Sequence, residues 1–116
     1  MNITPTDITN AEHYLWGNAC HGWRLLNQDA LSVVQERVPP GMGEVKHFHT
    51  WARQFFYMLQ GVAAIEFDHQ TVIFQAGQGV PVEPGVAHRF VNQSSEEVVF
   101  LVISTPTTIG DRTNVE

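Results

Sequence analysis

The sequence predicts an all-β domain of the sandwich or barrel type, and three observations predict it. From Leu31 onward, short runs rich in Val, Ile, Phe and Tyr recur every ~8 to 12 residues. Pro, Gly, Asn and Asp interrupt these runs, and no helical spacing of apolar residues spans the same stretch. With 116 residues and 43% hydrophobic content, the chain has material for one core and room for one domain.

The predicted strands are Leu31–Val38, Glu44–Thr50, Gln54–Leu59, Val62–Asp68, Thr71–Gln75, Gly79–Glu83, Ala87–Asn92 and Val98–Thr105. Pro39-Pro40-Gly41 separates the first two, and Gln60-Gly61 the third and fourth. Ala76-Gly77-Gln78-Gly79 supplies glycines able to take positive φ in a turn. Asp68-His69-Gln70 falls where a tight hairpin belongs, although it lacks the usual glycine. Before Leu31, Tyr14, Trp16, Trp23, Leu25 and Leu26 can supply one or two covering strands, and Thr9-Asn10-Ala11-Glu12 a capped helical turn. The expected organisation is an N-terminal segment, 1–30, packed on a barrel of residues 31–106, followed by a polar, flexible tail, 107–116.

Charge excludes two classes of partner. The net charge is −6, and the six Lys and Arg form no cluster, so neither nucleic acid nor an anionic membrane surface is expected to bind. No apolar run approaches the ~20 residues of a membrane span, and the first residues lack a secretion signal, so a cytoplasmic location is expected. Cys20 is the single cysteine and reads as a small buried thiol.

The chemistry gathers around histidine. Side chains alternate along a strand, so His47 and His49 project to one face, roughly 6.5 to 7 Å apart, and can share an ion. On this reading Val45 shares their face and Phe48 points away. Gln54, Phe56 and Met58 likewise share one face, as do His88, Phe90 and Asn92. His13, His21 and His69 read as surface residues, and Arg89 alternates away from His88.

Two longer patterns raise this above a stray pair. Gly41, five residues, His47, Phe48, His49, four residues, Gln54, six residues and Gly61 follow one another without gaps. Further on come Gly77, five residues, Glu83, Pro84, Gly85, two residues, His88, three residues and Asn92. Together they resemble the two motifs of the cupin family, G-x5-H-x-H-x3/4-E-x6-G and G-x5-P-x-G-x2-H-x3-N. Gln54 stands where the family has Glu, and Glu83 where it has Pro.

The resemblance implies a jelly-roll barrel, or double-stranded β-helix, holding one divalent ion on His47, His49 and His88 with Gln54 beside them. Iron, nickel, manganese and zinc all suit such a nitrogen-rich site. The implied pocket for a small organic molecule is lined by Val45, Phe56, Met58, Phe90 and Trp51. A glutamine leaves the ion closer to its full charge than a glutamate would, which favours an anionic or readily deprotonated ligand. Three functions fit: an oxygenase, foremost; a metal-dependent isomerase or cyclase; and a non-catalytic binding module. Glu44 and Glu83 do not read as an acid–base pair, and Asn92 reads as a fold residue. Phe55, Tyr57 and Leu59 lie on the face opposite Gln54 and want a cover, which suggests a homodimer.

Overall fold

The computed structural model describes residues 3–115. Eleven strands build it: β1 (Glu12–Trp16), β2 (Cys20–Asn27), β3 (Ser32–Val38), β4 (His47–Phe48), β5 (Arg53–Gln60), β6 (Val62–Phe67), β7 (Thr71–Gln75), β8 (Gly79–Val82), β9 (His88–Val91), β10 (Val98–Thr105) and β11 (Thr113–Asn114). They form two antiparallel sheets, ordered β1-β2-β3-β10-β5-β8 and β11-β4-β9-β6-β7. The described residues contain no helix, and the architecture is the double-stranded β-helix. Thr9–Glu12 is therefore not a helical capping site. The chain turns instead on Asp7, whose carbonyl accepts from Asn10 and Ala11 and whose carboxylate accepts from the Thr9 N–H.

Alternation along each strand decides the core. Phe56 and Met58 of β5, Val98, Phe100 and Val102 of β10, and Val80 and Val82 of β8 face inward from the first sheet. Ile65, Phe74 and Phe90 face them from the second. The sheets meet in an aromatic stack: Phe90 lies 4.0 Å from Phe100, centroid to centroid, and 6.2 Å from both Phe56 and Phe74. Asn92 is fully buried and ties the connection after β9, donating to the carbonyls of Val38 and Glu96 and accepting from Ser94.

Turn chemistry follows the sequence closely. Gly77 takes φ +86°, whereas Gly79 is needed for space, because the Phe55 ring lies where its Cβ would be. The Asp68–Gln70 hairpin closes without glycine through the bond from Phe67 N–H to Gln70 O, 2.8 Å.

Two regions depart from expectation. The strand foreseen over Glu44–Thr50 pairs only at His47–Phe48. Gly43 bridges Val91 and His47 pairs with His88, so four steps on one side match three on the other, and one extra residue is accommodated between. The alternation assumed for Val45 is broken there. The tail expected to be flexible docks instead: β11 pairs with β4, and the Asp111 carboxylate accepts the N–H groups of Thr50, Trp51 and Ala52 at 2.6, 3.0 and 3.0 Å. Burial works to raise the Asp111 carboxyl, but these three bonds overcome it and hold it below the usual range.

The aromatic stack joins the two sheets, so Phe100→Ala is expected to cost about 3–5 kcal/mol. Urea unfolding followed by fluorescence should show the midpoint falling by a corresponding amount with the slope unchanged.

Candidate metal centre

His47 and His88 are cross-strand partners in the β4–β9 pair, and His49 follows two residues after His47. All three are buried, with ring centroids 4.5 Å (47 to 88), 4.9 Å (47 to 49) and 5.6 Å (49 to 88) apart. One nitrogen from each ring lies within 4.8 Å of the other two, so the group could hold a metal ion.

The backbone sets which nitrogen is offered. His47 Nδ1 lies 2.7 Å from the Val45 carbonyl, His88 Nδ1 2.9 Å from the Val86 carbonyl, and His49 Nδ1 2.5 Å from the Asp111 carbonyl. A carbonyl only accepts, so each Nδ1 carries a proton, and in the neutral ring the lone pair is then on Nε2. The Nε2 atoms of His49 and His88 are buried with no protein partner among the described residues. Burial pushes the His47 and His88 imidazoles down to about 4, against the opposing carbonyl bonds, so both are neutral near pH 7.

Gln54 lies buried on β5 beside Ser104 of β10 and donates its amide to Ser104 Oγ at 3.3 Å. With the amide nitrogen held, Oε1 is left buried and without a partner among the described residues. Gln54, His47 and His49 line one cavity of about 180 Å³, walled also by Tyr14, Trp16, Arg24, Glu36, Glu44 and Arg112, whereas His88 is not among its lining residues.

Of the pocket residues expected from the sequence, Phe56 lines this cavity. Met58 and Phe90 lie deeper, in the closed apolar core. Val45 and Trp51 do not line it. Val45 is 59% exposed, thrown outward by the extra residue before β4, and Trp51 is 68% exposed on the loop held by Asp111. Arg53 pairs with Glu83 at 2.8 Å and Arg89 with Glu66 at 2.6 Å, both away from the histidines. His13 and His21 stack on each other at the surface, and burial raises the Cys20 thiol to about 11.

Several cavity residues escaped the sequence reading. Glu44 turns inward after the strand distortion, with Oε2 3.9 Å from His47 Nε2 and Oε1 accepting from the Phe90 N–H at 3.1 Å. Glu36 follows the inward positions of Ser32 and Val34 on β3, and a carboxylate in that alternation was the available signal. Asp111 and Arg112 reach the site from the tail, which no local pattern announces.

The cupin-domain profile matches residues 34–104, more than half of the chain, and the chain belongs to the cupin family. A 58-residue stretch is 31% identical to the polyketide synthase CurC of Streptomyces cyaneus, covering 50% of this chain and 38% of that protein. The polyketide cyclase RemF of Streptomyces resistomycificus superposes with a TM-score of 0.81 at 19% identity, over 99% of this chain and 87% of its own. An RmlC-like cupin from Shewanella frigidimarina superposes with a TM-score of 0.79 at 19% identity, over 91% and 93%. These two likenesses establish the fold.

Protons compete with a metal for the same Nε2 lone pairs, and depressed imidazole pKa values move that competition to lower pH. Zinc affinity, measured by competition with a chelator of known affinity, is expected to lose little to protonation of His47 and His88 until the pH falls towards about 4.

Proposed function

We propose that this cupin is a metal-dependent enzyme acting on a small, oxygen-rich organic molecule, and that its reaction is a cyclisation or related Lewis-acid step on a chain of ketones. The observation that carries the metal reading is the set of Nδ1 bonds to backbone carbonyls, which in the neutral rings puts the lone pairs on Nε2, in three buried histidines whose ligand atoms lie within 4.8 Å of one another. His47, His49 and His88 would hold the ion, with the Gln54 carbonyl as a fourth donor. The ion supplies Lewis acidity, which stabilises an enolate oxygen.

The substrate class draws support from CurC and RemF, whose names place them in polyketide chemistry. In such chains a C–H between two carbonyls is acidic, and its conjugate base, an enolate, is the kind of anionic ligand that Gln54, lacking charge, favours. Around the polar groups, Phe56, Val34, Val102 and Leu26 give the cavity apolar walls that limit water at a reactive enolate. The oxygenase, put first by the sequence alone, needs a redox-active metal and dioxygen. The binding module needs neither turnover nor, in its simplest form, a metal.

One experiment separates them. Protein purified without chelators is analysed for metals beside His49→Ala, then incubated with a linear poly-β-ketone while oxygen uptake and ring formation are followed. Stoichiometric zinc or another divalent ion in the wild type, at least about 100-fold weaker retention in the variant, and ring formation without oxygen uptake are expected. Iron with oxygen uptake would favour the oxygenase, and metal-free protein without turnover the binding module. Gln54→Glu should tighten the ion and weaken anionic ligands.

We further infer a homodimer in the cytoplasm. The outer face of β5 carries Phe55 and Leu59, each partly exposed, with the Tyr57 ring stacked on Phe55 at 6.4 Å. A second copy would cover this face. Light scattering at micromolar concentration should give twice the monomer mass, and Phe55→Lys should halve it; a monomeric wild type would end this reading.

A further inference from the structure

The cavity has a second wall that the metal reading leaves unused, formed by the N-terminal strands. Trp16 of β1 lines the cavity with its indole Nε1 buried and without a protein acceptor among the described residues. His49 and Gln54, whose Nε2 and Oε1 are equally unpartnered, line the same cavity, so three residues with unmet polar atoms surround one volume from different parts of the chain. An indole N–H is a donor only, and burying it without an acceptor is costly. A metal ion cannot satisfy it. An oxygen atom can.

Glu36 on β3 lines the same cavity. Across the β2–β3 pair its partner is Gly22, and the Tyr14 ring occupies the place a side chain at 22 would take. Arg24 stacks on that ring at 4.4 Å. Burial and the nearby Glu44 carboxyl, outweighing Arg112 and Arg24, push the Glu36 carboxyl well above the usual range. Burial, then Glu36, likewise raise the Tyr14 hydroxyl, with Arg24 opposing. The upward shift favours the neutral form, in which a carboxyl is an O–H donor.

We propose that Trp16 and Glu36 form an oxygen-binding wall facing the histidines, so that the cavity selects ligands with oxygen atoms at both ends, a linear poly-β-ketone in class. One end turns to the histidines; the far oxygens accept from the Trp16 indole N–H and the Glu36 carboxyl O–H. The ligand class rests on the function proposed above, whereas the wall itself stands on the unpartnered indole and the inward carboxyl.

The test uses zinc-loaded protein with two probes, heptane-2,4,6-trione and the shorter pentane-2,4-dione. Affinities come from calorimetry, and the Trp16 indole resonance, assigned with Trp16→Phe, from nitrogen-edited NMR. The trione should bind about tenfold more tightly than the dione and shift that resonance. Trp16→Phe and Glu36→Leu should each weaken the trione about tenfold, with dione affinity and zinc content as in the wild type. Glu36→Gln keeps a donor and should stay within about threefold of the wild type. The proposal is overturned if the trione binds without moving the Trp16 resonance, if both variants weaken the two probes equally or not at all, or if neither probe binds at millimolar concentration. Should the protein fail to retain zinc while the trione still shifts the Trp16 resonance, the metal reading falls and the wall stands. Zinc retention with an unmoved resonance does the reverse.

Discussion

Three backbone carbonyls, those of Val45, Val86 and Asp111, decide what this site can be. Each accepts a proton from an imidazole Nδ1, and each thereby turns an ambivalent ring into a one-sided base. Without those bonds, buried histidines could adopt either tautomer, and their Nε2 atoms could as easily donate as accept. Two of the three use the same local device, the ring reaching the carbonyl two residues earlier in its own chain. The third reaches 62 residues along to the tail, so the geometry of His49 depends on how the tail docks.

That dependence gives Asp111 a double task. Its carbonyl orients His49, and its carboxylate gathers three consecutive N–H groups of the loop between the histidine strand and β5. The loop, the tail and the histidine are one hydrogen-bonded unit. Loosening any part relaxes the others, because a buried carboxylate that loses its donors carries the full cost of desolvation. The first sheet contributes the other half: Ser104 holds the Gln54 amide, which leaves its carbonyl oxygen free.

Much of this was legible in the residues. Strands Thr71–Gln75 and Val98–Thr105 read from pattern to the residue, because their alternation is uninterrupted and turn residues bound them. The convergence of His47, His49 and His88 was legible because motif spacing encodes strand register. The fate of Val45 was not, since an extra residue in a ladder leaves the composition unchanged while reversing which side chains face inward. Nor was the tail: its sequence is polar, and the order of its described residues, 107–115, comes from one aspartate whose partners lie about 60 residues away. Contacts of that range follow from topology, which local pattern does not carry.

The same reasoning explains why the N-terminal strands matter beyond covering a sheet. β1 and β2 extend the first sheet past β3 and carry Tyr14, Trp16, Arg24 and Leu26 into the cavity. A barrel closed at β3 would leave Glu36 at its rim, where water would keep the carboxyl ionised. With β2 beside it and Tyr14 lying across Gly22, that carboxyl is partly shielded, and burial together with the Glu44 carboxyl pushes its pKa up. The absence of a side chain at position 22 thus makes room for the ring that covers this wall. A methyl group there would collide with the Tyr14 ring and force it from its place in the wall.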